Sequence, residues 1–314
     1  MIPPIVVCGS MAFDTIAVFE GRFKEHILPE RIQSLSVSFL VPTIRKEYGG
    51  CAGNISYNLH LLGGRPWPVA TVGEDASEYL ARFAALNIDV SHVCVVPGTL
   101  TAQCFITTDL DDNQIAAFHP GAMAYSAQNA RSLEGAAWGI VAPDAKAGMF
   151  AHAERLHAGG IPFLFDLGQA MPLFEGPDLE RMLSLAQALT VNDYEAGVVE
   201  QRLGCKIVDI ARRMQAVVVT GGAEGSTLYT RGERLRIPAV PSIEVVDPTG
   251  CGDAHRAGLL YGLNCGWSWA NSCCLANLMG SIKISSRGPQ NHTPSRRDID
   301  TRLQAAYGIG LPPQ

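Results

Sequence analysis

A chain of 314 residues, 47% of them apolar and 17% charged, can bury a sizeable core and is too poor in charge for a disordered polymer. With 24 basic against 30 acidic residues, a net charge of −6 and no long basic run, a dedicated nucleic-acid binder is excluded. The length predicts one large domain, or a core with a smaller appendage.

Met1-Ile2-Pro3-Pro4 leads straight into a strand-like segment, Ile5 to Gly9, rather than into a signal peptide, and no apolar run is long enough to span a bilayer. Asp14 follows that strand. Ligands of open α/β sheets bind beyond the carboxyl ends of the strands, so Asp14 either meets one or forms a turn. Residues 15–48 break the rhythm: Gly21 to Pro29 is loop-like, and Ile32 to Val41 alternates as a half-exposed strand would. A helical pattern then runs through Ile55, Leu59 and Leu62 to a stop at Gly63-Gly64. Gly49-Gly50 at its start permits close backbone approach to a hydroxyl-rich ligand, or serves structure alone. Pro68 to Val72 reads as strand, Ser77 to Leu86 as helix and Val93 to Val96 as strand. Ala102 to Thr108 and Ile115 to His119 form a hairpin through the Asp/Asn-rich stretch Asp109 to Gln114. We therefore expect a small β-sheet lid, from 15–48 and 97–122, over a core of 1–14, 49–96 and 123–314.

The core pattern continues with strand Trp138 to Ala142, helix Ala145 to Ala158 and strand Ile161 to Asp166, which ends in an acid. Helix Leu179 to Ala188 and strand Ala188 to Val191 follow. This βαβα alternation predicts an α/β fold with a doubly wound, largely parallel sheet. Asn192 and Glu195, three apart across a strand-to-helix turn, suit either a hydrated Mg²⁺ or a helix cap. Ala216 to Gly225 is a buried strand running into a glycine-rich turn, a plausible nucleotide seat. No GxxxxGK[ST] sequence exists, so a P-loop is excluded. The nine cysteines lack C-x-x-C spacing and include the adjacent pair Cys273-Cys274, which predicts reduced thiols in the cytoplasm.

The stretch around which the rest is arranged is Asp247-Pro248-Thr249-Gly250-Cys251-Gly252-Asp253, with a β-rich run from Ile243 to Val246 before it and an apolar helical pattern after it. Such a turn aims unpaired first-turn N–H groups and the positive dipole end at an anion. A carboxylate at that mouth would repel a resting phosphate, so Asp253 either caps the helix or takes a proton from an attacking hydroxyl. Helices over Trp269 to Ser285, which contains Asn277, and Pro294 to Ala306 complete the chain.

This heptapeptide resembles the D-T-x-G-A-G-D signature of the ribokinase (PfkB) family of carbohydrate and nucleoside kinases. Asp247, Gly250, Gly252 and Asp253 are in register; Pro248 and Cys251 depart. The resemblance implies Asp253 as catalytic base and the amides of Gly250, Cys251 and Gly252 as anion hole. Gly49-Gly50 with Asn54 matches the family's G-G-x-x-x-N, which with Asp14 binds the acceptor. Asn192 and Glu195 match N-x-x-E, tied to phosphate and water-bridged Mg²⁺. Thr220, Gly222 and Gly225 match T-x-G-x-x-G at the ATP phosphates. By position, the resemblance puts Asn277 at the nucleotide and Asp247 at a monovalent-cation (K⁺) loop. It implies a ribokinase-like three-layer α/β/α core with the lid, and a homodimer formed through the lid.

Sugar kinases of the family carry Asp-x-Asn-x-Arg where this chain has Asp166-Leu167-Gly168-Gln169. With Phe118 to Met123, that form resembles the nucleoside kinases. An acceptor bearing a base needs an apolar slot with a few polar groups. Phe13, Phe118 and Met123 are candidates for the slot, Gln103 or Gln169 for the ring, and Asp166 for the acceptor site. The expected reaction is ATP-dependent phosphorylation of the 5′-hydroxyl of a purine nucleoside, with a sugar kinase as alternative. A non-catalytic ligand sensor would not need Asp253 beside an intact glycine turn. A Rossmann oxidoreductase would need a glycine-rich turn that Ser10-Met11-Ala12 does not provide.

Overall fold

Four consecutive buried apolar residues, Ile5–Cys8, make β1, and their alternation decides which layer each side chain joins. Ile5 and Val7 face one apolar cluster, Val6 and Cys8 the other. The computed structural model describes residues 2–312 apart from 28–32, 34–35, 112 and 243. The strands after β1 are β2 (Ala12–Val18), β3 (Thr43–Gly49), β4 (Pro66–Val69), β5 (Thr71–Val72) and β6 (Cys94–Val95). Next come β7 (Ala102–Thr108), β8 (Gln114–His119), β9 (Trp138–Val141), β10 (Phe163–Asp166) and β11 (Ala188–Asn192). The last are β12 (Ala216–Thr220), β13 (Ser226–Thr230) and β14 (Glu233–Ile237). The helices are α1 (Phe23–His26), α2 (Cys51–Leu61), α3 (Ser77–Ala85), α4 (Lys146–Ala158) and α5 (Gly176–Leu185). They continue as α6 (Asp193–Leu203), α7 (Ile207–Arg213), α8 (Cys251–Asn264), α9 (Trp269–Lys283) and α10 (Arg296–Tyr307).

The main sheet has the order β14-β13-β12-β11-β10-β9-β1-β4. It is parallel from β4 to β12 and antiparallel at the β13–β14 edge. Helices α2, α8, α9 and α10 cover one face, and α4, α5, α6 and α7 the other. This is the three-layer α/β/α architecture expected from the alternation and the resemblance. A second sheet, β3-β2-β7-β8, stands apart from it. Its strand β2 runs antiparallel to β3 and parallel to β7, and β7–β8 is the predicted hairpin.

Several local expectations are corrected. The strand beside β2 in this second sheet is β3, not Ile32 to Val41; residues 36–42 have no regular structure, and 32, 34 and 35 lie outside the described residues. Loose alternation was present there, but a strand needs a neighbour, and β2 pairs with 43–49. The loop-like stretch after Gly21 contains the single turn α1. Residues 68–72 divide between β4 and β5, and β5 pairs with β6 in a separate ribbon. The β-rich run before the central turn is not a strand over 244–248; Val246 and Asp247 instead donate their N–H groups to Ile284 O. Helix α5 starts earlier than expected, at a capping box between Glu175 and Asp178. Among the described residues, no helix is long and apolar enough to cross a membrane. All nine cysteines are free thiols.

Candidate active site

Helix α8 starts after Gly250, whose φ of +81° belongs to the left-handed region, and a Cβ there would lie 2.7 Å from Pro289 Cβ. Only glycine makes this entry without strain. Cys251 spends its N–H on Pro248 O (3.1 Å), which removes it from the expected anion hole; the first-turn amides that follow have no intrahelical acceptor. The Asp253 side chain does not cap: it leaves the turn and accepts from Asn54 Nδ2 at 2.8 Å. Burial pushes its carboxyl up to about 7; Asp166 adds to the rise, and the Asn54 hydrogen bond and Arg256 oppose it.

A relay of hydrogen bonds orients that carboxylate. Gln290 Nε2 donates to Asn54 Oδ1 (3.0 Å) and lies 2.6 Å from Tyr79 Oη, which donates to Gly49 O at 2.8 Å. Asn54, expected at the acceptor, is thus also the residue that holds Asp253. Gly50, with φ +83°, lets the chain pass 2.6 Å from Ser10 O measured at a would-be Cβ. Gly49 lies against Asp14, whose carboxylate a Cβ on Gly49 would meet at 2.5 Å. Burial, with Glu47 across the strand pair, raises the Asp14 carboxyl to about 6.

Strand register sorts the remaining acceptor candidates. Glu47, Asp14, Cys104 and Phe118 form one row across β3, β2, β7 and β8, so their side chains share a sheet face. Tyr48, Phe13, Gln103 and His119 form the neighbouring row on the opposite face. Phe118 is half-exposed on the Asp14 face. Phe13 is fully buried, its ring centroid 5.7 Å from Tyr79 and 6.0 Å from Tyr48, so it is core and not slot. Gln103 shares that face and is turned away from Asp14, which removes it from the slot. Met123 is half-buried in the 3₁₀ turn Gly121–Gln128, and Gln169 is exposed in the turn after β10.

Asp166 is corrected from acceptor ligand to counter-ion. Its two carboxylate oxygens accept from Arg256 Nη2 (3.0 Å) and Nε (3.1 Å), both side chains almost wholly buried. A guanidinium inside α8 requires this partner. The sequence reading missed Arg256, although an arginine within the largely buried helical pattern from Ala254 to Leu263 was a signal that a buried acid must face it.

On the other side of the turn lies a cavity of about 490 Å³, bounded by Thr220, Gly222, Gly225, His255, Asn277 and Ile284 among others. Cys251 and Gly252 belong to its wall, so the helix start opens onto it. Asn277 borders the cavity, but its amide is occupied with Ile237 O (3.0 Å) and Pro238 O (3.2 Å), tying α9 to the end of β14. His255, which the sequence reading also missed, is buried there, and burial lowers its pKa to about 3, with Arg256 assisting. An uncharged imidazole fits beside a nucleotide, and nothing in the local pattern announced it.

Asn192 and Glu195 cap α6 reciprocally: Asn192 Oδ1 accepts from Glu195 N (2.7 Å), and Glu195 Oε2 from Asn192 N (2.8 Å). The cap reading therefore holds. It leaves Glu195 Oε1 outside the cap, compatible with one water-bridged contact to a Mg²⁺ that keeps most of its waters. Among the described residues, no three His, Cys, Asp or Glu gather into a protein-built metal site. Asp247, expected at a monovalent cation, has both carboxylate oxygens engaged, Oδ1 by Thr249 N (2.9 Å) and Oδ2 by Gly288 N (2.8 Å).

The sequence matches the pfkB family carbohydrate kinases over residues 5–296. The nucleoside kinase of Burkholderia thailandensis, solved in complex with inosine, is 48% identical, covering 98% of this chain and 99% of that one at a TM-score of 0.88. The same enzyme in complex with ADP-inosine is matched over 99% and 98% at a TM-score of 0.86. The Methanocaldococcus jannaschii nucleoside kinase is 26% identical over 96% of this chain and 98% of that one, with a TM-score of 0.88. The aminoimidazole riboside kinase of Salmonella typhimurium is 25% identical over 85% of this chain and 92% of its own length. With its signature turn, its cavity and its whole-chain match in agreement, this protein is an ATP-dependent kinase that belongs to the pfkB family.

Proposed function

We propose that this kinase transfers the γ-phosphoryl group of ATP to the 5′-hydroxyl of a purine nucleoside. The observation that carries the reading is the row Asp14–Cys104–Phe118: a carboxylate for ribose hydroxyls and an exposed aromatic side chain share one sheet face, with strand β7 between them. That spacing suits a ribose with a flat apolar group attached. The inosine complex of the 48%-identical Burkholderia enzyme supports the same class of acceptor.

In this mechanism Asp14 and the Gly49-Gly50 backbone hold the ribose, and Asn54 keeps the Asp253 carboxylate in line. Asp253 takes the hydroxyl proton as the oxygen attacks the γ-phosphorus. First-turn amides of α8 stabilise the charge gathering on the phosphoryl oxygens, one such donor being worth roughly 3–4 kcal/mol. Glu195 would hold, through water, a Mg²⁺ carried with ATP, and the ion would supply charge neutralisation at the phosphates. Phe118 and Met123 pack on the base, and Gln169 hydrogen-bonds its edge. Arg256 lowers the cost of ionising Asp253 while Asp166 neutralises the guanidinium.

The test is competition at equal concentration among inosine, guanosine, adenosine, ribose and fructose. A purine nucleoside should show the highest kcat/KM, and Phe118→Ala should lose nucleoside kcat/KM while leaving that for ribose nearly unchanged. A free sugar preferred over every nucleoside would overturn the reading in favour of a sugar kinase.

A further inference from the structure

Lys283 is the last residue of α9 and is fully buried. Its ammonium does not meet a carboxylate directly; it donates to two backbone carbonyls, Asp247 O (2.8 Å) and Ser286 O (2.9 Å). One of these opens the turn that leads into α8, and the other belongs to the loop after α9. The two segments are stitched together by further bonds: Val246 N and Asp247 N to Ile284 O, and Gly288 N to the Asp247 carboxylate. The groups facing the ammonium are Asp247, Cys251 and Glu47, which favour its charge, while burial lowers its pKa.

Converging backbone carbonyls are the chemistry by which proteins hold a dehydrated monovalent cation. The resemblance to the ribokinase family implies K⁺ at Asp247, but the carbonyl donor there is engaged by the chain's own ammonium, and both carboxylate oxygens by backbone N–H groups. The donor set does not fit a free ion. We propose that Lys283 is the built-in cation of the phosphoryl-transfer turn: it bridges Asp247 O and Ser286 O in place of K⁺, so the enzyme works without an added monovalent cation. A lysine is a compact point charge on a flexible stem, suited to replacing an ion rather than a planar fork. Lys283 acts through the turn it fixes and is a positioning residue. Its activity readout rests on the kinase reading; its stability readout does not.

The experiment compares K⁺, NH₄⁺ and bulky tetramethylammonium as the sole monovalent cation. Wild-type kcat should differ by no more than about twofold among them, and the Tm of the substrate-free protein should not respond to K⁺. Lys283→Ala vacates the position: in tetramethylammonium its kcat should fall at least about tenfold, K⁺ or NH₄⁺ should restore part of it, and the same ions should raise its Tm. Lys283→Met keeps the stem and loses the charge, so kcat should fall without a matching change in acceptor KM and without rescue. If the alanine variant does not fold, the methionine variant and the wild-type ion series decide. Wild-type activity that depends on K⁺ by tenfold or more, or a methionine variant with full kcat in tetramethylammonium, would overturn the proposal.

Discussion

Replacing Asp253 by Asn should break catalysis and leave the protein at least as stable, and the two effects have separate structural causes. The Asn amide keeps the shape of the carboxyl and can present its oxygen to Asn54 Nδ2, preserving the 2.8 Å contact. It cannot accept the hydroxyl proton, so kcat should drop by about 10²–10⁴, the usual contribution of a general base. Stability runs the other way. A folded-state pKa of about 7, against 3.8 for the free side chain, means the native protein prefers the protonated acid. Above neutral pH the ionised carboxylate therefore costs the native state on the order of a few kcal/mol, and a neutral amide escapes that cost. Turnover should be followed by ADP release with inosine as acceptor, and stability by urea unfolding at pH 8 and pH 5. The variant should gain on wild type at both pH values, by less at pH 5 than at pH 8, and match it only below the free value of 3.8, where folded and unfolded side chains are both protonated. Near-wild-type turnover in a folded Asn variant, or a clear loss of stability at pH 8, would refute the assignment of Asp253 as a buried base.

The same raised pKa sets the pH profile: kcat/KM should climb as pH rises through about 7 and then level off, since only the ionised base works. Wild-type stability should decline as pH rises from about 4 to about 7 and level off above, because the folded state holds the proton longer than the unfolded chain; a shallower decline in Asp253→Asn, where Asp14 still titrates, is the control. Arg256→Met should cost about 3–5 kcal/mol in urea unfolding by stranding the Asp166 carboxylate, and adding Asp166→Leu should recover most of it; full stability in the single variant would mean that the pair is not coupled. Gly50→Ala should lose about 1–3 kcal/mol and raise acceptor KM, because a left-handed residue is forced against Ser10 O beside the Asp14 site; unchanged KM would separate that backbone from the acceptor.

The sequence by itself determined what contiguous residues can carry. The β1 run Ile5–Cys8 and the α/β alternation announced the parallel core, because burial on both faces leaves an unbroken apolar record. The α8 entry was legible because Gly250 and the first-turn amides are local properties of one turn, as was the Asn192–Glu195 cap. Tertiary structure alone decided the partners. Asn54 meets Asp253 across 199 residues, Gln290 meets Asn54 across 236, and Arg256 meets Asp166 across 90. No periodicity encodes such pairings; they follow from which helix packs over which strand end. Register likewise put Phe118 on the same face as Asp14, across Cys104, and turned Gln103 away, since a displacement of one residue along a strand reverses the face. Lys283 reads in sequence as the ordinary basic end of a helix. Its role at Asp247 exists only because the loop after α9 folds back under the start of α8, bringing two carbonyls close enough to need a positive charge.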